Sequence, residues 1–92
     1  MGERLGARWA ADPKSFAAVV GEAVRRHRQA AGWTQVQLAE AAGLSPNYVA
    51  RLERGELGAS LFVAYQLSRT LGISVRDLLE APQRTTRRRL VG

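Results

Sequence analysis

Asn47 and Arg51 stand four residues apart, the spacing that puts two side chains on one face of a helix. An asparagine amide both donates and accepts hydrogen bonds, and a guanidinium offers a rigid fork of donors. Together they suit recognition of planar groups with neighbouring acceptors and donors, and the edges of paired bases are such groups. Bond-making chemistry is a poor match. There is no cysteine, and the single histidine, His27, falls on an apolar stripe. Neither a phosphate-binding glycine loop nor carboxylates at metal-ligand spacing occur. Hence no enzyme activity, catalytic residue, cofactor or metal is expected.

Two short helices must position this pair. Thr34 and Gln37 form a T-x-x-Q capping box at the start of the first. Val36, Leu38, Ala39 and Ala42 are expected to supply its buried surface, and Gly43 stands where a left-handed residue ends a helix. Ser45 is a good N-cap for the second, and Pro46 suits its first position. Val49 and Leu52 share the inward face, while Asn47, Ala50, Arg51 and Arg54 fall outward. Gly55 closes the second helix as Gly43 closed the first. So short a turn forces the helices to cross steeply, the helix-turn-helix arrangement.

The run from Arg28 to Gly55 resembles the helix-turn-helix family of lambdoid phage repressors, Cro proteins and bacterial Xre-type regulators. The resemblance rests on Arg28, Gly32, Trp33, Thr34, Gln35, Leu38, Ala39, Ala42, Gly43, Leu44, Ser45, Tyr48, Val49, Leu52, Glu53, Arg54 and Gly55. With flanking helices it covers roughly residues 16 to 79. It implies an all-α, five-helix, lambda-repressor-like DNA-binding domain whose second and third helices form the helix-turn-helix. It also implies a largely buried structural ion pair between Arg28 and Glu53. By the same analogy the N-terminal half of the third helix enters the major groove. Asn47 and Arg51 are then the leading base readers, the first on adenine N6 and N7, the second on guanine O6 and N7. Pro46 would give apolar contact, and Tyr48 would meet a phosphate or a methyl group. Gln35 matches the family glutamine that binds a phosphate; Thr34 and Arg54 are expected to add backbone contacts.

Size and charge agree with a polyanion partner. The 92 residues suffice for one domain, with 14 Lys+Arg against 8 Asp+Glu and a formal net charge of +6. All basic residues but Lys14 are arginine, a bias that a GC-rich genome would also produce. No apolar run approaches the roughly 20 residues a bilayer crossing needs, and no signal-peptide core is evident, so a soluble cytoplasmic protein without membrane association is expected.

Along the chain, residues 1–12 read as an N-terminal extension, 13–80 as the domain and 81–92 as a basic C-terminal tail. The extension is a frayed end, an arm carrying Arg4 and Arg8 to DNA, or a segment that packs through Trp9. Asp12-Pro13 opens a helix to about residue 31, with Phe16, Val20, Val24 and His27 at helical spacing. His27 is expected half-buried, and Trp33 takes a position that is usually a core leucine in the resembled family. Glu56 and Ala59 stand in a loop where that family often has a basic residue and a proline. Ser60 caps a fourth helix whose Leu61, Ala64, Leu67, Ser68 and Leu71 are expected to face the core. Ser74 and Asp77 form a second capping box, opening a fifth helix. The tail attracts phosphates, solubilises the terminus, or docks on a partner through Leu90 and Val91.

Phe62, Tyr65, Val75 and Leu79 exceed what a monomer core needs and are the candidate dimer interface. One helix in one groove reads few bases, so a homodimer on a two-fold symmetric duplex operator is expected, with half-sites about 34 Å apart. The functional expectation is a small sequence-specific transcriptional regulator, a repressor or autoregulator. Its rival is an antitoxin or adaptor, a protein-interaction module working through the face of the fourth and fifth helices.

Overall fold

Asp12 starts the first helix by accepting a hydrogen bond from the Lys14 backbone N–H at 3.0 Å, with Pro13 in the first turn. The computed structural model describes residues 12–80, and among these it is all-helical: α1 (Pro13–Ala30), α2 (Gln35–Ala42), α3 (Pro46–Glu53), α4 (Leu61–Leu71) and α5 (Val75–Leu79). The expectations for Arg4, Arg8, Trp9, Leu90 and Val91 lie outside the described residues.

Local signals fix the boundaries. Thr34 Oγ1 accepts from Gln37 N–H at 3.0 Å while Gln37 Oε1 accepts from Thr34 N–H at 2.9 Å, the reciprocal box that opens α2. Gly43 takes φ +75° and ends it; Leu44 N–H returns to the Ala39 carbonyl at 2.8 Å. Ser45 caps α3 on Tyr48 N–H at 3.0 Å, and Ser60 caps α4 on Val63 N–H at 3.1 Å. The Ser74–Asp77 box opens α5.

The core is Val20, Ala23 and Val24 from α1, Leu38, Ala39 and Ala42 from α2, Val49 and Leu52 from α3, Ala64 and Leu67 from α4, and Leu78 from α5. Helix α1 is the spine: it packs on α3 and α5, while α2 touches α3 and α4. Phe16, Trp33, Ile73 and Leu79 close the rim, half-buried. His27 is half-buried too. Buried Ser68 satisfies its hydroxyl by donating to the Tyr65 carbonyl at 2.8 Å.

Two expected core residues are not there. Val36 is 49% exposed. At about 100° per residue it lies about 200° round α2 from Leu38, and in the first turn, short of the buried stripe that Leu38, Ala39 and Ala42 form. Leu61 is 80% exposed. It sits near the buried stripe of α4 by angle, but in the first turn, where it borders an open groove instead of a packed element.

A close crossing locks α3 to the spine helix α1. Gly21 of α1 lies against the carbonyls that end α3; an added Cβ would clash with Leu52 O and stand 2.9 Å from Glu53 O. One turn along, Gly55 (φ +76°) seats on Ala18, whose Cα would be 3.2 Å from a Cβ there. Glycine at both positions lets backbone meet backbone.

Candidate nucleic-acid interface

Val49 and Leu52 are fully buried, and that orients α3. With the inward stripe fixed, Asn47 and Arg51 are exposed on the opposite side, Ala50 is half-buried beside them, and Pro46 is exposed in the first turn. The structure therefore brings the two sequence-predicted base readers onto one outward face. Tyr48 differs from its neighbours: it is half-buried, and its ring packs against the core, which leaves the hydroxyl end as its free group.

The C-terminal end of α3 is held by one carboxylate. Arg28 Nε donates to Glu53 Oε2 at 2.7 Å and Nη2 to Oε1 at 3.0 Å, a bidentate pair with side chains only 11% and 3% exposed. Hydrogen bonding to Glu53 raises the Arg28 pKa above its ordinary value, against the opposing effect of burial. The remaining edge of the guanidinium donates through Nη1 to the Trp33 carbonyl at 2.8 Å. The expected Arg28–Glu53 pair is thus present, and it also fixes the loop into α2.

Gln35, expected to bind a phosphate, is half-buried and has a partner within the protein. Its Nε2 donates to Glu53 Oε1 at 3.0 Å, so the amide is part of the clamp. Thr34 is exposed, with its hydroxyl engaged in the capping box. The backbone N–H groups of Gln35 and Val36, in the first turn of α2, are the donors this end of the helix leaves for an anion.

Arg54 is exposed beyond α3, and here the sequence reading missed a partner. Arg54 Nε donates to Glu56 Oε2 at 2.6 Å and Nη2 to Oε1 at 3.3 Å, and Arg51 Nε donates to the same Oε1 at 3.3 Å. The Arg54 hydrogen bond, seconded by Arg51, holds the Glu56 carboxyl below its ordinary range, and the Arg54 guanidinium is raised in return. The signal was present as R-x-x-R-G-E: a left-handed glycine folds the next residue back over the last turn. Glu56 N–H accordingly donates to the Arg51 carbonyl at 3.0 Å.

The candidate dimer residues separate into two groups. Val75 and Leu79 line an apolar groove of about 260 Å³ with Phe16, Val20 and Leu61. Phe62 and Tyr65, 68% and 49% exposed, stand on α4 outside it. Tyr65 Oη accepts from Arg69 Nη1 at 3.0 Å, with the guanidinium 5.8 Å from the ring centre. Among the described residues no helix is long and apolar enough to cross a membrane.

Comparison with known proteins agrees with this architecture. The helix-turn-helix family profile matches residues 24–78. An uncharacterised HTH-type transcriptional regulator, y4dJ of Sinorhizobium fredii, is 31% identical over 67 residues, covering 73% of this chain and 87% of its own. Two solved structures are similar. The restriction-modification controller protein C.AhdI from Aeromonas hydrophila has TM-score 0.69 and 34% identity, over 73% of this chain and 97% of that one. The clp gene regulator ClgR from C. glutamicum has TM-score 0.67 and 38% identity, over 70% and 83%. With five helices, a capped turn between α2 and α3, and a polar face turned outward from a valine–leucine anchor, the chain belongs to the Xre/Cro-like helix-turn-helix family of DNA-binding transcriptional regulators.

Proposed function

We propose that the chain is a sequence-specific binder of double-stranded DNA that lays α3 in the major groove and acts as a repressor or autoregulator. The observation that carries this reading is the division of α3. Val49 and Leu52 are wholly buried, while Asn47 and Arg51 are held together on the exposed side. Arg51 reads guanine through O6 and N7, Asn47 reads adenine through N6 and N7, and Pro46 packs on a thymine methyl. Phosphates are met by Arg54, by the Tyr48 hydroxyl, by Thr34, and by the free N–H groups at Gln35 and Val36. The similarity to C.AhdI, a restriction-modification controller protein, and to ClgR, a clp gene regulator, supports a role in gene control.

Dimerisation completes the reading, since two copies of α3 on a two-fold symmetric site double the bases contacted. The exposed Phe62 and Tyr65 and the groove at Val75 and Leu79 are the surface for it. The same face supports a second reading, an antitoxin or adaptor that docks another protein there, with the exposed Leu61 and Phe62 as its motive.

Selection of bound duplexes from a random pool tests the first reading. Enrichment of a two-fold symmetric sequence containing guanine and adenine in each half-site is expected. A pool that remains random after repeated rounds would overturn it and favour the second.

A further inference from the structure

We propose that Glu56 is a positioning residue for base reading: it holds Arg51 so that only the terminal edge of the guanidinium faces DNA, and offsets the charge of Arg54. This inference rests on the reading of α3 as the groove helix.

The carboxylate is anchored through the backbone. Gly55 N–H donates to the Leu52 carbonyl at 3.0 Å and Glu56 N–H to the Arg51 carbonyl at 3.0 Å, while Gly55 itself seats on Ala18 of α1. Glu56 is therefore carried on the end of α3, with both oxygens turned to arginines from that helix and its cap. A guanidinium can meet a pair of acceptors through its Nε–Nη2 edge or through its two Nη groups. Glu56 takes Nε of Arg51, so the Nη pair remains on a side chain that is half exposed. That end-on fork matches guanine O6 and N7. Arg54 is held more fully: Glu56 takes Nε and one hydrogen of Nη2, which leaves the second Nη2 hydrogen and both on Nη1 for a phosphate.

The charge follows the geometry. Arg51, Arg54 and Glu56 sum to one positive charge, not two, since a glutamate is ionised at neutral pH and here bonds both arginines. Attraction to any phosphate backbone is weakened, while the direction of one base-reading side chain is fixed. Glu56 thus trades general affinity for selectivity.

The test measures binding of wild type, Glu56→Ala, Glu56→Gln, Arg51→Ala and the Arg51→Ala/Glu56→Ala double variant. The probes are the duplex wild type selects, single-base-pair changes of it, and an unrelated duplex. Glu56→Ala is expected to bind the unrelated duplex several-fold more tightly, with steeper salt dependence. It is also expected to lose about tenfold discrimination at the base pair that Arg51→Ala affects. Glu56→Gln, which keeps an acceptor oxygen without the charge, should recover part of that discrimination but not the low general affinity. The double variant should discriminate no worse than Arg51→Ala alone.

A uniform rise in affinity with discrimination intact overturns the proposal. So does lost discrimination at a base pair insensitive to Arg51→Ala, which would make Glu56 a reader in its own right. If wild type selects no sequence, the groove reading falls instead.

Discussion

Gly21 and Leu52 touch without a side chain between them. The α-carbon of one sits under the carbonyl oxygen of the other, at the point where α1 crosses α3. Glycine inside a helix ordinarily costs stability, yet here any Cβ would force the two helices apart. Gly21→Ala is expected to destabilise the domain by about 3 kcal/mol, the upper end for overpacking, because backbone cannot move aside as a side chain can. Thermal unfolding followed by circular dichroism measures it. An unchanged or raised midpoint would show that the crossing is looser than described.

The Arg28–Glu53 pair should behave as a buried charge pair. Replacing either partner with leucine strands the other, at about 3–5 kcal/mol. Gln35→Ala removes only an auxiliary bond to the same carboxylate, and about 1 kcal/mol is expected. A double-mutant cycle on Arg28 and Glu53, read by urea denaturation, should give a coupling near the single-variant loss, and additive effects would argue against the clamp.

On DNA, Arg51→Ala and Arg54→Ala should differ in kind. The first is expected to cost about 1–3 kcal/mol and to relax selectivity at one base position in each half-site. The second should weaken all duplexes alike and reduce the salt slope by about 1. Titrations at several salt concentrations separate them, and identical profiles would remove the distinction between base reader and phosphate contact.

Acid should loosen α5 first. The Ser74 backbone N–H, as the strongest influence, holds the Asp77 carboxyl below its ordinary value of 3.8. A carboxylate with depressed pKa in the folded state contributes stability above its unfolded value and loses it as pH falls through the folded one. The gap between wild type and Asp77→Asn should therefore be constant from neutrality to about pH 4 and shrink below it. Denaturation midpoints across that range provide the measurement; a gap that widens in acid would contradict the cap.

For the dimer, Phe62→Glu places a charge on the exposed face of α4, away from the core. It is expected to convert a dimer to a monomer in size-exclusion with light scattering, with the helical circular dichroism spectrum retained. A wild-type monomer at tens of micromolar would remove this surface from the DNA-binding account.

Most of the architecture was legible because its signals are local. Capping boxes at Thr34 and Ser74, N-caps at Ser45 and Ser60, and stops at Gly43 and Gly72 act within one turn, so helix ends could be read residue by residue. The Arg28–Glu53 pair came from family resemblance and not from spacing. What escaped depends on the third dimension. Val36 and Leu61 look apolar in sequence, but their exposure is set by the rotation of α2 and by what packs over the first turn of α4. Gly21 has no role in the sequence alone; its role comes from the helix that crosses it. Gln35 and Glu56 are polar residues whose partners lie across a helix junction or behind a reversed turn, where sequence distance gives little guidance.

The burial pattern of α3 has an engineering consequence. Val49, Leu52 and Glu53 are committed to the scaffold, whereas Pro46, Asn47, Ala50 and Arg51 bear little of its weight. Those four sites form an exchangeable cartridge. Rewriting them should redirect the domain to new targets at almost no cost in melting temperature, whereas the same freedom taken one residue to either side of Leu52 would not be tolerated equally: position 51 can vary, position 53 cannot.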